Sequence, residues 1–347
     1  MIILFGAGSD LHIRMVSREL DHLGIEFLIL DHTDKSPITV NLSDVSLTTG
    51  GRTILLDDVK LAWYRSKFDH ALFGSGDGFR NNFVAANAWK DTTRAIWMLL
   101  GERAVNSYIS VQKASVKIDQ LVTAKSFDFS IPRTIISNSY KDILEWSDGC
   151  SPSIVKAIEN AAIPDPAMPL GYSSMMTTRV DWDLFRRDPE VCAIAPTLFQ
   201  GEIQKAFELR IAVQGDRIFA SRIDSASKPY MEVDWRYGSA ICDYVPFVLP
   251  DDVVRKIKSY LSHYGLYSGQ FDFVVDRDGV YWFLECNPQG YWAFLDEGWG
   301  YEVSKSFARG LKDLYETGIE DRPFASATAT RASHGDGIAA PFENRLQ

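Results

Sequence analysis

The chain is poor in the residues from which small reactive centres are usually built. Its four cysteines (Cys150, Cys192, Cys242, Cys286) form neither a C-x-x-C pair nor a disulfide framework, which excludes a stapled secreted scaffold and suits a reducing compartment. The six histidines are scattered, mostly among hydrophilic neighbours. No Ser-His-Asp or Cys-His arrangement is evident, so an acyl-enzyme mechanism has no candidate nucleophile. Basic residues are outnumbered, 36 Lys and Arg against 46 Asp and Glu. A net charge of −10 argues against general nucleic-acid affinity but leaves room for a local basic pocket. No apolar run approaches the length of a membrane span. The opening MIILFGAGSD lacks the basic and long apolar regions of a signal peptide. These absences lead us to expect a cytoplasmic protein with neither a membrane nor a nucleic acid as partner.

What remains is ordinary for a globular protein, 46% hydrophobic and 24% charged, over 347 residues that suffice for two or three domains. Ile2–Phe5 reads as a buried strand, Leu11–Leu23 as an amphipathic helix ending at Gly24, and Phe27–Leu30 as the second strand of a βαβ unit. The intervening G-A-G-S is no dinucleotide fingerprint, because Ile13 stands where the third glycine belongs. Residues 31–60 read as turns and short strands, and Leu61–Arg65 as a strand ending in a cation. The glycines of FGSGDGFR (73–80) lack the Lys-Ser/Thr of a P-loop, so that segment reads as a flexible loop. Helices are expected over Asn82–Gly101 and Ser115–Lys125, the second presenting Lys117, Gln120 and Leu121. By itself Lys117 would be a solvated helix lysine.

Pro152–Ile158 reads as a strand carrying Lys156. A lysine inside an apolar strand needs an acidic partner or an anionic ligand, because unpaired burial is costly. Residues 160–176, rich in Pro, Gly and Ser, suit a lid. Ala195–Glu202 is a strand leading into a polar bend. Phe207–Val213 alternates, with Glu208 and Arg210 on one face. Ile218–Ile223 returns with Arg222, and Val233–Arg236 adds a further cation. These charges read either as structural ion pairs or as an anion-recognition face. Asp251–His263 is an amphipathic helix, and the segment after about 321 is low in core residues and reads as disordered.

Near the end, GQFDFVVDRDGVYWFLECNPQG (269–290) reads as two strands around the turn Asp276–Gly279. Pairing Val275 with Val280 puts Asp272 opposite Phe283 and makes Asp272 and Glu285 diagonal neighbours. Alternation then places Asp272, Glu285 and Asn287 on one face, with Phe271, Phe273, Trp282 and Leu284 towards the core. Three oxygen donors on a strand that Pro288 stops suit a Mg²⁺ ion shared with phosphates.

Asp272 followed by Glu285-Cys286-Asn287-Pro288 resembles the metal signature of ATP-grasp ligases. K-x-x-Q-L at Lys117–Leu121 with I-P-R-T, the F-E-L-R strand and V-D-W-R extend the resemblance over about residues 1–318. Trp63-Tyr64-Arg65 and F-E-L-R with V-D-W-R bring the chain nearest the microviridin-type (graspetide) peptide macrocyclases. The resemblance implies an α/β ATP-grasp fold: an N-terminal pre-ATP-grasp βαβ domain (1–111), a small central domain (112–197), a C-terminal mixed-sheet catalytic domain (198–320) and a tail (321–347). It implies ATP and Mg²⁺ as cofactors, with Asp272, Glu285 and Asn287 on the metal. Lys117, Lys156 and the hinge residues Gln200 and Glu202 would bind the nucleotide, Glu202 through the ribose hydroxyls. Arg210, Arg222 and Arg236 would face the triphosphate and an acyl phosphate, and Glu208 or Asp234 would act as the base. The implied activity is phosphorylation of Asp or Glu side chains in a leader-bearing precursor peptide, followed by ester or, less often, amide ring closure. A homodimer is compatible with this. A ligase joining small molecules or tagging a protein is the alternative, and a nucleotide-binding protein without catalysis is a third.

Overall fold

A computed structural model describes residues 1–31, 33, 37–65, 79–150, 152–158, 162–164, 172–174 and 176–318. The glycine-rich loop expected over 73–80 lies outside these residues up to 78, as do most of segment 160–176 and the tail from 321. No helix among the described residues is long and apolar enough to cross a membrane.

The N-terminal unit is a parallel sheet in which β1 (Ile2–Phe5) lies between β2 (Phe27–Leu30) and β6 (Leu61–Tyr64). All four residues of β1 are fully buried, as expected of a central strand covered on both faces. Helix α1 (Leu11–His22) starts at Asp10, whose carboxylate accepts the backbone N–H groups of His12 and Ile13. Gly24, at φ +68°, follows its C-terminal end. The G-A-G-S turn is closed from within the chain, since the Gly8 N–H donates to Asp31 at 2.6 Å. Strands β3 (Ile38–Asn41), β4 (Ser46–Thr49) and β5 (Arg52–Leu55) form an antiparallel meander. Helix α2 (Phe79–Leu100) then stacks Trp97 on Tyr64.

The expected helix at Ser115–Lys125 is α4 (Lys117–Ser126), which starts two residues later so that Lys117 opens it, and a separate short helix, α3 (Tyr108–Ala114), precedes it. Four strands make the central sheet in the order β11-β8-β12-β7: β7 (Thr134–Ser137), β8 (Ser153–Lys156), β11 (Thr178–Arg179) and β12 (Thr197–Gly201). Helices α5 (Tyr140–Ser147) and α6 (Trp182–Arg187) cover it through a small core of Ile143, Trp146, Phe185, Cys192 and Phe199. Strands β9 (Ala162–Pro164) and β10 (Tyr172–Ser174) pair as a separate ribbon.

The third of the main sheets is antiparallel, in the order β15-β14-β13-β16-β17. Its strands are β13 (Lys205–Gln214), β14 (Arg217–Ile223), β15 (Val245–Phe247), β16 (Ser268–Asp276) and β17 (Tyr281–Asn287). One face packs on α7 (Asp251–Tyr264) through Leu209, Ile211, Phe271, Phe273, Ile257, Tyr260 and Leu261. Helix α8 (Glu302–Thr317) packs against α1, so the end of the chain completes the N-terminal core.

The hairpin register differs from the expected one. Val275 pairs with Tyr281 and Phe273 with Phe283, and an irregularity then lets Asp272 pair with Glu285. Leu284 is the extra residue of a β-bulge, and an extra residue reverses the alternation beyond it. Phe283 and Cys286 are therefore the buried core residues, whereas Trp282 and Leu284 are only half-buried. Phe283→Ala should cost about 3–5 kcal/mol, because the ring is enclosed by Phe129, Tyr260, Phe271 and Phe273. Leu284→Ala should cost less than about 1 kcal/mol. Denaturant unfolding of the two variants checks this, and the reverse ranking would restore the unbulged register.

Candidate active site

The bulge assembles a row of charge across one face of the third sheet. Arg210 on β13 pairs with Asp272 on β16, which pairs with Glu285 on β17. Arg210 donates to Asp272 Oδ2 at 2.7 Å and to the Tyr291 carbonyl at 2.8 Å. Asp272 Oδ1 is buried without a hydrogen-bond partner. Burial raises the Asp272 carboxyl above its ordinary range, Arg210 opposes this, and the neighbouring Glu285 adds to it. Burial pushes Glu285 upward too, but the combined field of Lys117, Lys156, Arg210 and Arg236 holds it below its ordinary value. In the next row Gln270 pairs with Asn287, so alternation puts Asn287 on the face of Glu285. The Asn287 side-chain oxygen accepts the Gln289 N–H at 3.2 Å.

Above this face lies an open cleft of about 600 Å³, lined by Lys117, Lys156, Thr177, Glu208, Asp234, Trp235, Arg236, Asp272, Leu284 and Glu285. Lys117 donates to the Ala157 carbonyl at 3.1 Å and lies 3.5 Å from Glu285, bridging the central sheet to β17. Lys156 makes no hydrogen bond or ion pair among the described residues. Burial lowers its pKa, and Glu285 counters that effect.

Seven of the twelve residues singled out from the sequence thus meet in one cleft. The others are placed differently. Arg222 pairs with Leu209, and a residue opposite Leu209 lies on the other face from Arg210. It binds Asp224 at 2.6 Å and lies over the Phe207 ring. Gln200 is buried in the central sheet and donates to Thr134 Oγ1. Both oxygens of Glu202 are engaged by Arg179, at 2.6 and 2.7 Å, where a role on ribose was expected. Arg210 and Asn287 do not line the cleft, although Arg210 is bonded to Asp272, which does.

The two candidate bases are ion-paired. Asp234 chelates Arg236 through both oxygens and also accepts the Thr177 N–H. Glu208 accepts from Lys205 at 2.5 Å and from Ser225 at 2.7 Å, while burial pushes its carboxyl upward. Lys205 escaped the sequence reading because residues three apart on a regular strand face opposite sides. A bulge between Lys205 and Phe207 brings it round to Glu208.

The donor set accommodates a hard cation. Two carboxylates lie directly opposite one another, one oxygen is buried and unsatisfied, and an amide stands in the next row. Among the described residues no group of three or more His, Cys, Asp or Glu could hold a metal alone. Such a cation would thus draw on Asn287 and on oxygens from a bound ligand, the usual pattern for Mg²⁺.

Lys205→Met should destabilise the protein by about 3–5 kcal/mol by stranding Glu208, and Lys205→Met with Glu208→Leu should recover much of that loss. A double variant as unstable as the single one, measured in urea, would contradict the pairing.

No protein-family model matches the sequence, and neither does any curated protein. Solved structures do match. The RiPP-associated ATP-grasp ligase of Chryseobacterium gregarium, determined with ADP and a leader and core peptide, is 23% identical, with a TM-score of 0.79 over 90% of this chain and 96% of its own. The macrocyclase MdnC of Microcystis aeruginosa, determined with the precursor peptide MdnA, is 21% identical, with a TM-score of 0.76 over 90% and 99%. The D-cycloserine synthetase DcsG is 13% identical, with a TM-score of 0.57 over 90% and 99%. An α/β chain with five sheets among its described residues that superposes on these proteins over nine-tenths of its length has the ATP-grasp fold.

Proposed function

We propose that the chain is an ADP-forming ligase that uses ATP to activate Asp or Glu side chains of a precursor peptide and closes ester or amide rings within it. The observation that carries this reading is the charge arrangement of one cleft. Two lysines, Lys117 and Lys156, the latter without a partner among the described residues, stand on the side of the central sheet. The opposed carboxylates of Asp272 and Glu285 stand on the other. A triphosphate carrying Mg²⁺ complements both walls. When bound, the ion would offset the charge of the phosphates. Asp272, Glu285 and Asn287 are the residues that would hold it.

The chain's own contribution is mainly positioning and electrostatics, which is what phosphoryl transfer requires. Lys117 and Lys156 give the phosphates two cationic donors. Arg236 is held by Asp234 at the cleft edge, beside the place where a peptide carboxylate would meet the nucleotide. Glu208 and Asp234 suit support of Lys205 and Arg236 better than a role as proton acceptor. The leader-bearing peptide as substrate draws support from the peptide complexes of the Chryseobacterium and Microcystis proteins. The likeness to D-cycloserine synthetase keeps a small-molecule ligase as the second reading.

Glu285→Gln and Asp272→Asn should each lower ADP release by about two orders of magnitude or more while the protein stays folded. Arg236→Ala should lower turnover more than it weakens ATP binding. The purified enzyme, tested on short Thr/Ser- and Asp/Glu-rich peptides encoded beside it, should yield a product lighter by one water and release one ADP per ring. Mild alkali reopens esters and spares amides. A product heavier than the peptide would replace cyclisation with the small-molecule reading, and unchanged turnover in both carboxylate variants would remove the cleft from the chemistry.

A further inference from the structure

The segment after the metal strand has little secondary structure of its own. Between Cys286 and Ala293 several of its backbone groups are bonded to buried side chains from elsewhere in the chain, while the Gln289 and Gly290 N–H groups donate to Asn287. Gln120 of α4 takes both the N–H and the carbonyl of Cys286, at 2.9 and 2.8 Å. Asn106 donates to the Pro288 carbonyl at 3.2 Å. Arg65, at the end of β6, donates through one nitrogen to the carbonyls of Gln289 and Gly290. His12, on α1, accepts the N–H groups of Trp292 and Ala293 at 3.0 and 3.1 Å.

The last two residues belong to the N-terminal unit, which contributes no side chain to the cleft. Both are almost wholly buried, with side-chain exposures of 1% for His12 and 2% for Arg65. His12 Nε2 accepts two backbone protons, which places the ring proton on Nδ1, 3.1 Å from Asp10 Oδ1, with Arg65 Nη2 also 3.2 Å from Nδ1. Asp10 therefore fixes the tautomer that can hold the segment. Arg65 lies 4.5 Å from the centre of the Tyr291 ring, and the Tyr291 carbonyl is the one that Arg210 grips while facing Asp272. A shift of residues 289–293 would therefore move both Asn287, at one end, and the cation paired with Asp272.

We propose that His12 and Arg65 are positioning residues, through which the N-terminal βαβ unit fixes residues 287–293 and thereby sets Asn287 and Arg210 around the metal-binding carboxylates. Neither touches the cleft. They act on it as outer partners act on metal ligands, by removing alternatives to the binding geometry.

The proposal rests on the cleft being a Mg²⁺–nucleotide site, and the test separates the two. In the full-length protein, ADP binding is titrated with Mg²⁺ and, separately, measured in the presence of a chelator. His12→Leu removes the acceptor of both N–H groups. It should raise the Mg²⁺ concentration for half-maximal ADP binding by about 10-fold or more, with metal-free ADP affinity changed less than about twofold. His12→Gln, whose amide oxygen can still accept both, should stay within about threefold of the parent. Val16→Ala, a buried α1 substitution that shares the core of Trp292 and Ala293 but removes none of the hydrogen bonds to the segment, controls for lost packing and should leave the Mg²⁺ requirement unchanged. Should His12→Leu not fold, Arg65→Lys replaces it and is expected to raise the requirement by at least about threefold. An unchanged requirement in the folded variant overturns the proposal, and so does an equal rise in Val16→Ala. Asp272→Asn and Glu285→Gln that keep the parental Mg²⁺ dependence would instead overturn the metal-site reading itself.

Discussion

Two carboxylates placed side by side on a half-buried sheet face repel one another, and the site is built around that repulsion. Asp272 and Glu285 occupy neighbouring positions on β16 and β17, away from bulk water, where their charges are poorly screened. The chain offsets their charge with its own residues. Arg210 takes one oxygen of Asp272, and Lys117 stands 3.5 Å from Glu285. The unsatisfied oxygen of Asp272 is the place where this compensation is incomplete. A divalent ion brought with phosphates would complete it and would compete with Arg210 for Asp272.

The arrangement depends on a single inserted residue. Had β17 run regularly from its turn, Glu285 would not face Asp272 squarely. The bulge at Leu284 leaves Phe283 in the α7 core and returns Cys286 to it, so both flanks of Glu285 are anchored in apolar packing. The outer edge of β17 is covered by side-chain and backbone bonds instead of another strand: Ser130 accepts the Phe283 N–H and Gln120 brackets Cys286. K-x-x-Q is then one mechanical unit. Its glutamine fixes α4 to β17, and its lysine lies 3.5 Å from Glu285.

Three units meet at this strand. The central sheet brings Lys156 and the Ala157 carbonyl, α4 brings Lys117, and the N-terminal unit holds the segment beyond Asn287. The cleft is a junction: Lys117 and the Thr177 N–H reach across to Glu285 and Asp234, while Glu208, Asp272 and Arg236 are held by partners within the C-terminal unit. Arg179, which binds both Glu202 and Glu232, is a further tie of this kind between the central sheet and the third unit.

Local pattern determined a good deal. The apolar run Ile2–Phe5, the turn at Asp276–Gly279, the alternation of Glu208 and Arg210 and the string Glu285-Cys286-Asn287-Pro288 are short-range signals. Each specified its element, and the hairpin string put Asp272 and Glu285 on one face, though not in the register that sets them opposite each other. Lys156 was legible for the same reason, since an amine in an apolar strand is conspicuous wherever the strand goes. What the sequence could not carry were relations fixed by register and by partners far away in the chain. Arg222 and Arg210 look alike as strand arginines, yet one residue of register sends them to opposite faces. Glu202 looks like a free acid until Arg179, 23 residues earlier, is folded against it. His12 and Arg65 read as a helix residue and a strand end, because their partners lie more than two hundred residues away. Side-chain period and turn chemistry act over a few residues and can be read from them. Ion pairing, bulges and buried hydrogen bonds depend on which surfaces the packed units bring together, and only the tertiary structure decides that.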